Sequence, residues 1–273
     1  MTRSVAHPLN SHLSSHLSDF VVVIPARLGA SRLPNKPLVD IAGQPMIVRV
    51  AQRAVYSAAQ QIIVAYDDQQ IADALAAYPQ PERTTYLQTR HDHVSGTLRL
   101  VEVCDKQQWA DHQIVVNVQG DEPLMTPELI NHVAQSLADQ PDCVMATLSH
   151  AIEDEAQLLN PNCVKVVCNQ QRQALYFSRA PIPYPRDVGY ADQPAPEVWQ
   201  KHIGIYAYRA GFLRRYAQLA VSPLEQIESL EQLRVLWHGE KIAVRSVHLA
   251  TPLQGVDTLD DLQRVRQLWR ELT

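Results

Sequence analysis

Arg27, Arg32 and Lys36 follow one another in "PARLGASRLPNKP" with no acid between them. Three cations on one short loop repel each other unless an anion joins them, and the planar fork of arginine matches the oxygens of a phosphate. Pro34 and Pro37 stop a helix from running through the segment and stiffen it as a loop. The alternative is a solvated basic loop. The spacing is neither that of a Walker phosphate loop nor that of a dinucleotide fingerprint, because G-x-x-x-x-G-K-[ST] and G-x-G-x-x-G are both missing.

Two further segments carry acids. In "VVNVQGDEP" an apolar run leads straight into Gln119, Gly120, Asp121 and Glu122. Magnesium is commonly held by one or two carboxylates together with substrate phosphates, so Asp121 near a phosphate loop reads as a ligand for a hard cation. An acidic turn is the alternative. In "GVDTLDDL", Thr258 and Asp261 have the spacing of a capping box, and Asp257 could merely complement the dipole of the helix that follows. His91 and His93 in "TRHDHVSGT" would point to opposite sides of an extended segment, which favours packing over a metal pair.

These residues need elements to position them. "FVVVIP", "QIIVAYD", "TTYLQT" and "QIVVNVQ" read as strands, and between and after them "PMIVRVAQRAVYSA", "DQQIADALAAY", "SGTLRLVEVCDKQQW" and "TPELINHVAQSLADQ" read as helices, the last capped by Thr126. Such alternation predicts an α/β fold with a mainly parallel central sheet flanked by helices, binding ligands beyond the C-terminal ends of its strands. From about residue 141 to 208 the pattern changes to "VMATLSHAI", "CVKVVC", "ALYFSR" and "HIGIYAYR", without evident intervening helices and with a Pro-rich loop at 180–197. This segment is expected to be an antiparallel insertion in a single domain spanning 19–273. The chain then closes with a helix in "PLEQIESLEQLRVLW", a strand in "KIAVRSVHL" and a helix in "TLDDLQRVRQLWREL".

Composition sets the outer bounds. With 46% hydrophobic and 19% charged residues the 273-residue chain is neither disordered nor membrane-embedded in type. A net charge of −5 argues against general affinity for nucleic acid, so any polyanion must meet a local basic cluster. Four scattered cysteines without C-x-x-C spacing suggest reduced thiols in the cytoplasm. Residues 1–18, rich in Ser and His and without a continuous apolar centre, are expected to be a disordered tail, not a secretory signal.

Taken in order, "PARLGASRLPNKPL", "TRHDHVSGT", "VNVQGDEP", "YFSRAPIP", "HIGIYAYR", "SPLEQIESLEQLRVL" and "GVDTLDDL" resemble the motifs of the 3-deoxy-manno-octulosonate cytidylyltransferases. The resemblance covers nearly everything after the tail. The N-acylneuraminate cytidylyltransferases share the first loop and the general fold but not this later series. The resemblance implies a Rossmann-like nucleotidyltransferase, homodimeric through the 141–208 segment, that uses magnesium to transfer CMP from CTP to the anomeric hydroxyl of the acid sugar 3-deoxy-D-manno-octulosonate (Kdo). Pyrophosphate leaves, and the product serves lipopolysaccharide synthesis.

Carried over by motif, Arg27, Arg32 and Lys36 would hold the triphosphate, and Asp121 and Asp257 the magnesium, with Arg27, Lys36, Asp121 and Asp257 forming the catalytic set. Arg90, Ser95, Gly96 and Thr97 would meet the cytidine. Gln119, Arg179, His202, Tyr206, Glu231 and Gln232 would form the sugar site. The chain departs from the pattern at Asn35, where a glycine is usual, and at Leu98, where an acid is usual. Two rival classes remain open on the residues alone: a glycosyltransferase, which would use a D-x-D-like metal motif, and a nucleotide-binding module without turnover.

Overall fold

The computed structural model describes residues 19–29, 32–186, 198–249 and 253–272. The tail expected over 1–18, and the Pro-rich loop beyond Arg186, lie outside the described residues. The chain enters through β1 (Phe20–Ala26), in which every residue is buried. A strand covered on both faces carries no polar alternation, which is why its sequence is a continuous apolar run. A 3₁₀ turn (Lys36–Leu38) leads into a hairpin of β2 (Asp40–Ile41) and β3 (Gln44–Pro45). The hairpin turns through Ala42 and Gly43, both at positive φ (50° and 83°), as a two-residue primed turn requires.

The alternation read from the sequence follows: α1 (Met46–Val55), β4 (Gln61–Tyr66), α2 (Gln69–Ala76), β5 (Thr84–Gln88), α3 (Gly96–Gln107), β6 (Ile114–Asn117) and α4 (Pro127–Ala138). Thr126 caps α4 as expected, its side chain accepting from the backbone N–H of Leu129. The second half comprises β7 (Met145–Ala151), α5 (Glu155–Leu159), β8 (Lys165–Cys168), β9 (Ala174–Ser178), β10 (Gln200–Arg209), α6 (Ala210–Tyr216), α7 (Pro223–Glu228), α8 (Gln232–Trp237), β11 (Ile242–Ser246) and α9 (Leu259–Leu272).

The main sheet runs β11-β7-β10-β6-β1-β4-β5, with β8 and β9 branching from β10 as an antiparallel pair. β1 pairs in parallel with both β4 and β6, β4 with β5, and β7 with β11. β10 runs antiparallel between β6 and β7. The antiparallel character expected over 141–208 is therefore concentrated in β10 and the β8–β9 pair, while β7 and β10 are strands of the central sheet itself. Because β1 lies between β4 and β6, the chain order reverses there, and the crevice beyond the ends of β1 and β6 is the switch point where open α/β sheets take ligands.

Alternate residues of β1 face two cores. Phe20, Val22 and Ile24 pack with α1, α4 and α9 through residues such as Ile47, Val133 and Val265. Val21 and Val23 face the opposite layer, which includes Leu100 and Val103 of α3 and Phe212 of α6. Each such fully buried side chain contributes about 1.5–3 kcal/mol of transfer free energy, so the switch point is anchored on a strand buried along its whole length.

Three elements depart from the sequence reading. The single helix expected over "PLEQIESLEQLRVLW" is two, α7 and α8, separated at Ser229 in the left-handed region (φ 52°). Apolar periodicity continues across the break and conceals it. The short helices α5 and α6 were not expected, because neither is long enough to display two turns of periodicity. At the switch point itself, a Cβ on Gly120 would stand 2.7 Å from the carbonyl oxygen of Pro25, so the ends of β1 and β6 meet only because this residue has no side chain. Gly120→Ala is expected to destabilise the fold by ~1–3 kcal/mol, read as a lowered denaturant midpoint at unchanged slope. An unmoved midpoint would show that the two strand ends can part without penalty.

Candidate active site

Beyond Ala26 the chain leaves the sheet and returns through Asn35, which adopts the left-handed conformation (φ 54°) and opens the turn at Lys36. Asparagine is among the few non-glycine residues that enter this region readily, which accounts for its standing where a glycine is usual. The turn directs Lys36 into the crevice. Its Nζ lies 2.5 Å from Asp121 Oδ2 and 2.8 Å from Asp257 Oδ1, and Arg32 Nη2 lies 3.2 Å from Asp257 Oδ2. Burial works against the ammonium charge, but the charges and hydrogen bonds of Asp121 and then Asp257 outweigh it and hold the Lys36 pKa above its ordinary value.

Asp121 and Asp257 thus converge on one cation from the end of β6 and the approach to α9. A hydrogen bond from the Val256 N–H to the Asp121 carbonyl (2.9 Å) ties the two segments together. The capping box at α9 forms without the Asp257 side chain: Asp261 accepts from Thr258 N (2.9 Å) and from Asp257 N (3.2 Å) and donates its own N–H to Thr258 Oγ1 (3.2 Å). The carboxylate of Asp257 faces the crevice, on Lys36 and Arg32. Glu122 turns the other way, against Gly255, where a Cβ would meet its Oε1 at 2.7 Å. Burial, then the charge of Asp121, pushes the Glu122 carboxyl up to about 8, so it adds no third anion beside Asp121 and Asp257 at neutral pH.

The crevice is a cleft of about 290 Å³ lined by Arg27, Arg32, Lys36, Asp121 and Asp257, and on its other wall by Ser95 and Gly96. Ser95 caps α3, its Oγ accepting from Leu98 N at 3.3 Å. Arg99, only 2% exposed, also contributes to this wall and binds Asp67 Oδ2 (3.1 Å) and the carbonyl of Arg90 (3.1 Å), while Asp67 Oδ1 accepts from the N–H of Leu28 (3.0 Å). This buried pair fixes the basic loop against α3. Sequence reading missed it, since an Arg and an Asp 32 residues apart give no local signal.

Arg90 itself is exposed and pairs with Asp92 (3.1 Å) outside the cleft lining. His93 lines the cleft and bonds Glu102 at 2.5 Å, while His91 is exposed, consistent with packing and surface roles. Burial alone would raise the Glu102 pKa, but hydrogen bonds from Lys106, His93 and the Arg90 N–H hold it down to about 2.

A second cleft of about 290 Å³ opens from the first, sharing Gly96, Gln119 and Glu231 with it. Its lining adds Thr97, Asn117, Tyr206 and Gln232, and contains no Lys, Arg or His. Thr97 Oγ1 donates to Glu231 Oε2 at 3.1 Å, yet burial keeps the Glu231 pKa above its ordinary value. The break at Ser229 is what delivers Glu231 and Gln232 here, at the start of α8.

Two expected sugar-site residues lie elsewhere. His202 lines a neighbouring cavity, its ring packed on Phe177 (5.2 Å) and Tyr206 (5.4 Å) and its Nε2 3.0 Å from Thr147 Oγ1. Arg179 lies outside the linings of both clefts. Its Nε donates to the carbonyl of Glu228 (2.7 Å) and its Nη1 to that of Pro161 (3.0 Å), while its N–H bonds the Glu228 carboxylate (2.9 Å).

A doubly covered sheet with a cationic crevice at its switch point, faced by two carboxylates that share one cation, defines a nucleotidyltransferase class of site. The family model described as cytidylyltransferase matches residues 21–242, and the chain belongs to that family. Among curated relatives, the 3-deoxy-manno-octulosonate cytidylyltransferases of Methylibium petroleiphilum and Tolumonas auensis are each 56% identical. The alignments cover 92% and 91% of this chain and 95% and 96% of those proteins. A CMP:2-keto-3-deoxy-manno-octonic acid synthetase solved in complex with CTP is similar over 94% of this chain and 100% of its own, with a TM-score of 0.84 and 46% identity. A cytidylyltransferase from Leptospira borgpetersenii, 13% identical over 91% of this chain and 86% of its own, shares the fold (TM-score 0.54).

The packing of His202 generates a pH prediction. Burial pushes its pKa from 6.5 down to about 3, so the folded state keeps the ring neutral while the unfolded chain takes up a proton below 6.5. Stability is therefore full above that value and falls as pH drops from 6.5 towards 3. The unfolding temperature of wild type should decline more steeply between pH 7 and 5 than that of His202→Asn. Parallel slopes would show that the ring does not titrate on unfolding.

Proposed function

We infer that this chain transfers CMP from CTP to the anomeric hydroxyl of 3-deoxy-D-manno-octulosonate, giving CMP-Kdo and pyrophosphate. The observation that carries the reading is the joined pair of clefts, one carrying Arg27, Arg32 and Lys36 and the other lined by no Lys, Arg or His, meeting at Gly96, Gln119 and Glu231. CTP lies in the first, its triphosphate against Arg27, Arg32 and Lys36. These cations offset the charge that grows on the departing pyrophosphate, the electrostatic contribution that dominates such transfers. The capped start of α3 at Ser95 and Gly96 faces the cytidine side, with Thr97 turned towards the sugar. The acid sugar occupies the second cleft against Gln119, Tyr206, Glu231 and Gln232. Arg179 and His202 act on the sugar side from behind, Arg179 through Glu228 at the end of α7 and His202 through Tyr206. No side chain near the junction is assigned as a dedicated general base.

The donor set supports magnesium. Two carboxylate oxygens already converge on one cation position, and among the described residues no group of three or more His, Cys, Asp and Glu side chains could complete a metal cage. That matches an ion that takes its remaining ligands from phosphate and water. Bound by Asp121 and Asp257, magnesium would supply polarisation of the α-phosphate. Lys36, displaced from the two aspartates, would then be free to meet the triphosphate.

A homodimer fits the exposure of Leu159, Leu175 and Tyr184 (52%, 59% and 76%) on the 141–208 segment. A monomer by sedimentation equilibrium at micromolar concentration would remove that assignment. The four cysteines are all free thiols, which supports a reducing compartment such as the cytoplasm, where a CMP-sugar for lipopolysaccharide would be made.

Pyrophosphate release from CTP, dependent on both Kdo and a divalent cation, tests the reaction. It also separates it from glycosyl transfer and from binding without turnover. Asp121→Asn should lower kcat by about a hundredfold or more while leaving the unfolding temperature within a few degrees of wild type. Near-normal turnover of this variant at limiting magnesium would remove Asp121 from the metal site.

A further inference from the structure

Asn117, the last residue of β6, is 1% exposed, and neither its Oδ1 nor its Nδ2 has a hydrogen-bond partner among the described residues. Leaving a buried amide unpaired is strongly unfavourable, and an apolar side chain of similar shape would avoid the penalty. Gln232, 4% exposed, has an unpaired Nε2 and lines the same second cleft. Along β6 and its extension, side chains alternate, so Val115, Asn117 and Gln119 point to one face. Val115 is in the core of that face, and Gln119 stands at the junction of the clefts. Asn117 therefore lies one step deeper than Gln119, at the floor.

The charge pattern restricts what can reach that floor. In a 2-keto acid sugar the carboxylate is attached to the anomeric carbon, whose hydroxyl must meet the α-phosphate. It therefore stays at the junction, next to the cationic cleft. The second cleft is lined by no Lys, Arg or His, whereas the first carries Arg27, Arg32 and Lys36, so the end of the sugar directed into the second must be the neutral, hydroxylated one. A free amide offers one donor group and one acceptor, which pairs with a hydroxyl or with two neighbouring hydroxyls.

Resting on the functional reading above, we propose that Asn117, with Gln232 beside it, reads the hydroxyl groups at the far end of the acid sugar and is a specificity-determining contact of this enzyme. The amides remain unpaired in the free protein because the substrate completes them.

The test compares wild type, Asn117→Leu and Asn117→Ser for unfolding temperature without ligand, KM for Kdo, KM for CTP, and use of a Kdo analogue lacking one hydroxyl of the side chain distal to the ring. For Asn117→Leu the free protein should be at least as stable as wild type, because an unpaired buried amide is gone. The KM for Kdo should rise about tenfold or more, with the KM for CTP within about twofold. The analogue should be discriminated against by wild type and much less by the variant. Should the Leu variant fail to fold, Asn117→Ser must show the same split between the two KM values. A KM for Kdo within about twofold of wild type in a folded variant overturns the proposal. So does a lowered unfolding temperature with both KM values unmoved, which would mark the amide as a structural group bonded to a buried water. Absence of pyrophosphate release by wild type with CTP, Kdo and magnesium would instead remove the functional reading and this contact with it.

Discussion

The ammonium of Lys36 between the carboxylates of Asp121 and Asp257 is the constraint on which the site depends. Two carboxylate oxygens that both contact one nitrogen stand no more than about 5 Å apart, where their repulsion is ~3 kcal/mol at the effective dielectric near a protein surface. They converge only with a cation between them, and in the free protein the lysine is that cation. The arrangement joins the loop after β1, the end of β6 and the approach to α9, segments that lie far apart in the chain. It also keeps the crevice preorganised, since the two carboxylates are already held together at one cation position.

From that junction the two clefts divide the chemistry by charge. The first gathers Arg27, Arg32 and Lys36 on a loop braced from behind by the buried Asp67–Arg99 pair. The second excludes cations and surrounds Glu231 with Thr97 and Tyr206. The proposed placement of the acid sugar, anionic end towards the cations and polyol end away from them, follows this division, and the break at Ser229 is what brings Glu231 and Gln232 to the boundary.

The parallel half of the fold was legible because β1, β4 and β6 are buried on both faces and the helices between them carry an apolar stripe. Those are local properties, and local periodicity reports them. The left-handed Ser229 was not legible: Leu230, Leu233 and Val235 continue the stripe across it, and a single residue's φ leaves no trace in the pattern. The place of β10 in the central sheet was equally hidden, because pairing direction is decided by partners distant in sequence. Within the site, Arg27, Arg32, Lys36, Asp121 and Asp257 could be found from residue type and motif. Whether Asp257 served the helix or the crevice could not be decided, since the capping box forms around it in either case. Arg179 shows the opposite limit: its motif marks it, but in the fold its guanidinium is bonded to the carbonyls of Glu228 and Pro161, partners that no local pattern announces. Asn117 carries no sequence signal beyond being a polar residue inside an apolar strand.

The two departures from the family pattern have different physical consequences. Asn35 preserves the left-handed turn that aims Lys36, at a conformational cost smaller than that of most other side chains. Leu98 is less neutral. It occupies the third position of α3, where a Glu would complete a capping box with Ser95, and the first turn of α3 contains no acid. Ser95 still satisfies the Leu98 N–H, but within the first turn of α3 itself no acid offsets the positive end of the helix dipole, and the carboxylate nearest to it on this wall is that of Glu231, bonded to Thr97. That end lines the same cleft as Arg27, Arg32 and Lys36. A leucine there in place of an acid weakens the cap by a few tenths to ~1 kcal/mol and leaves the potential at that cleft more positive.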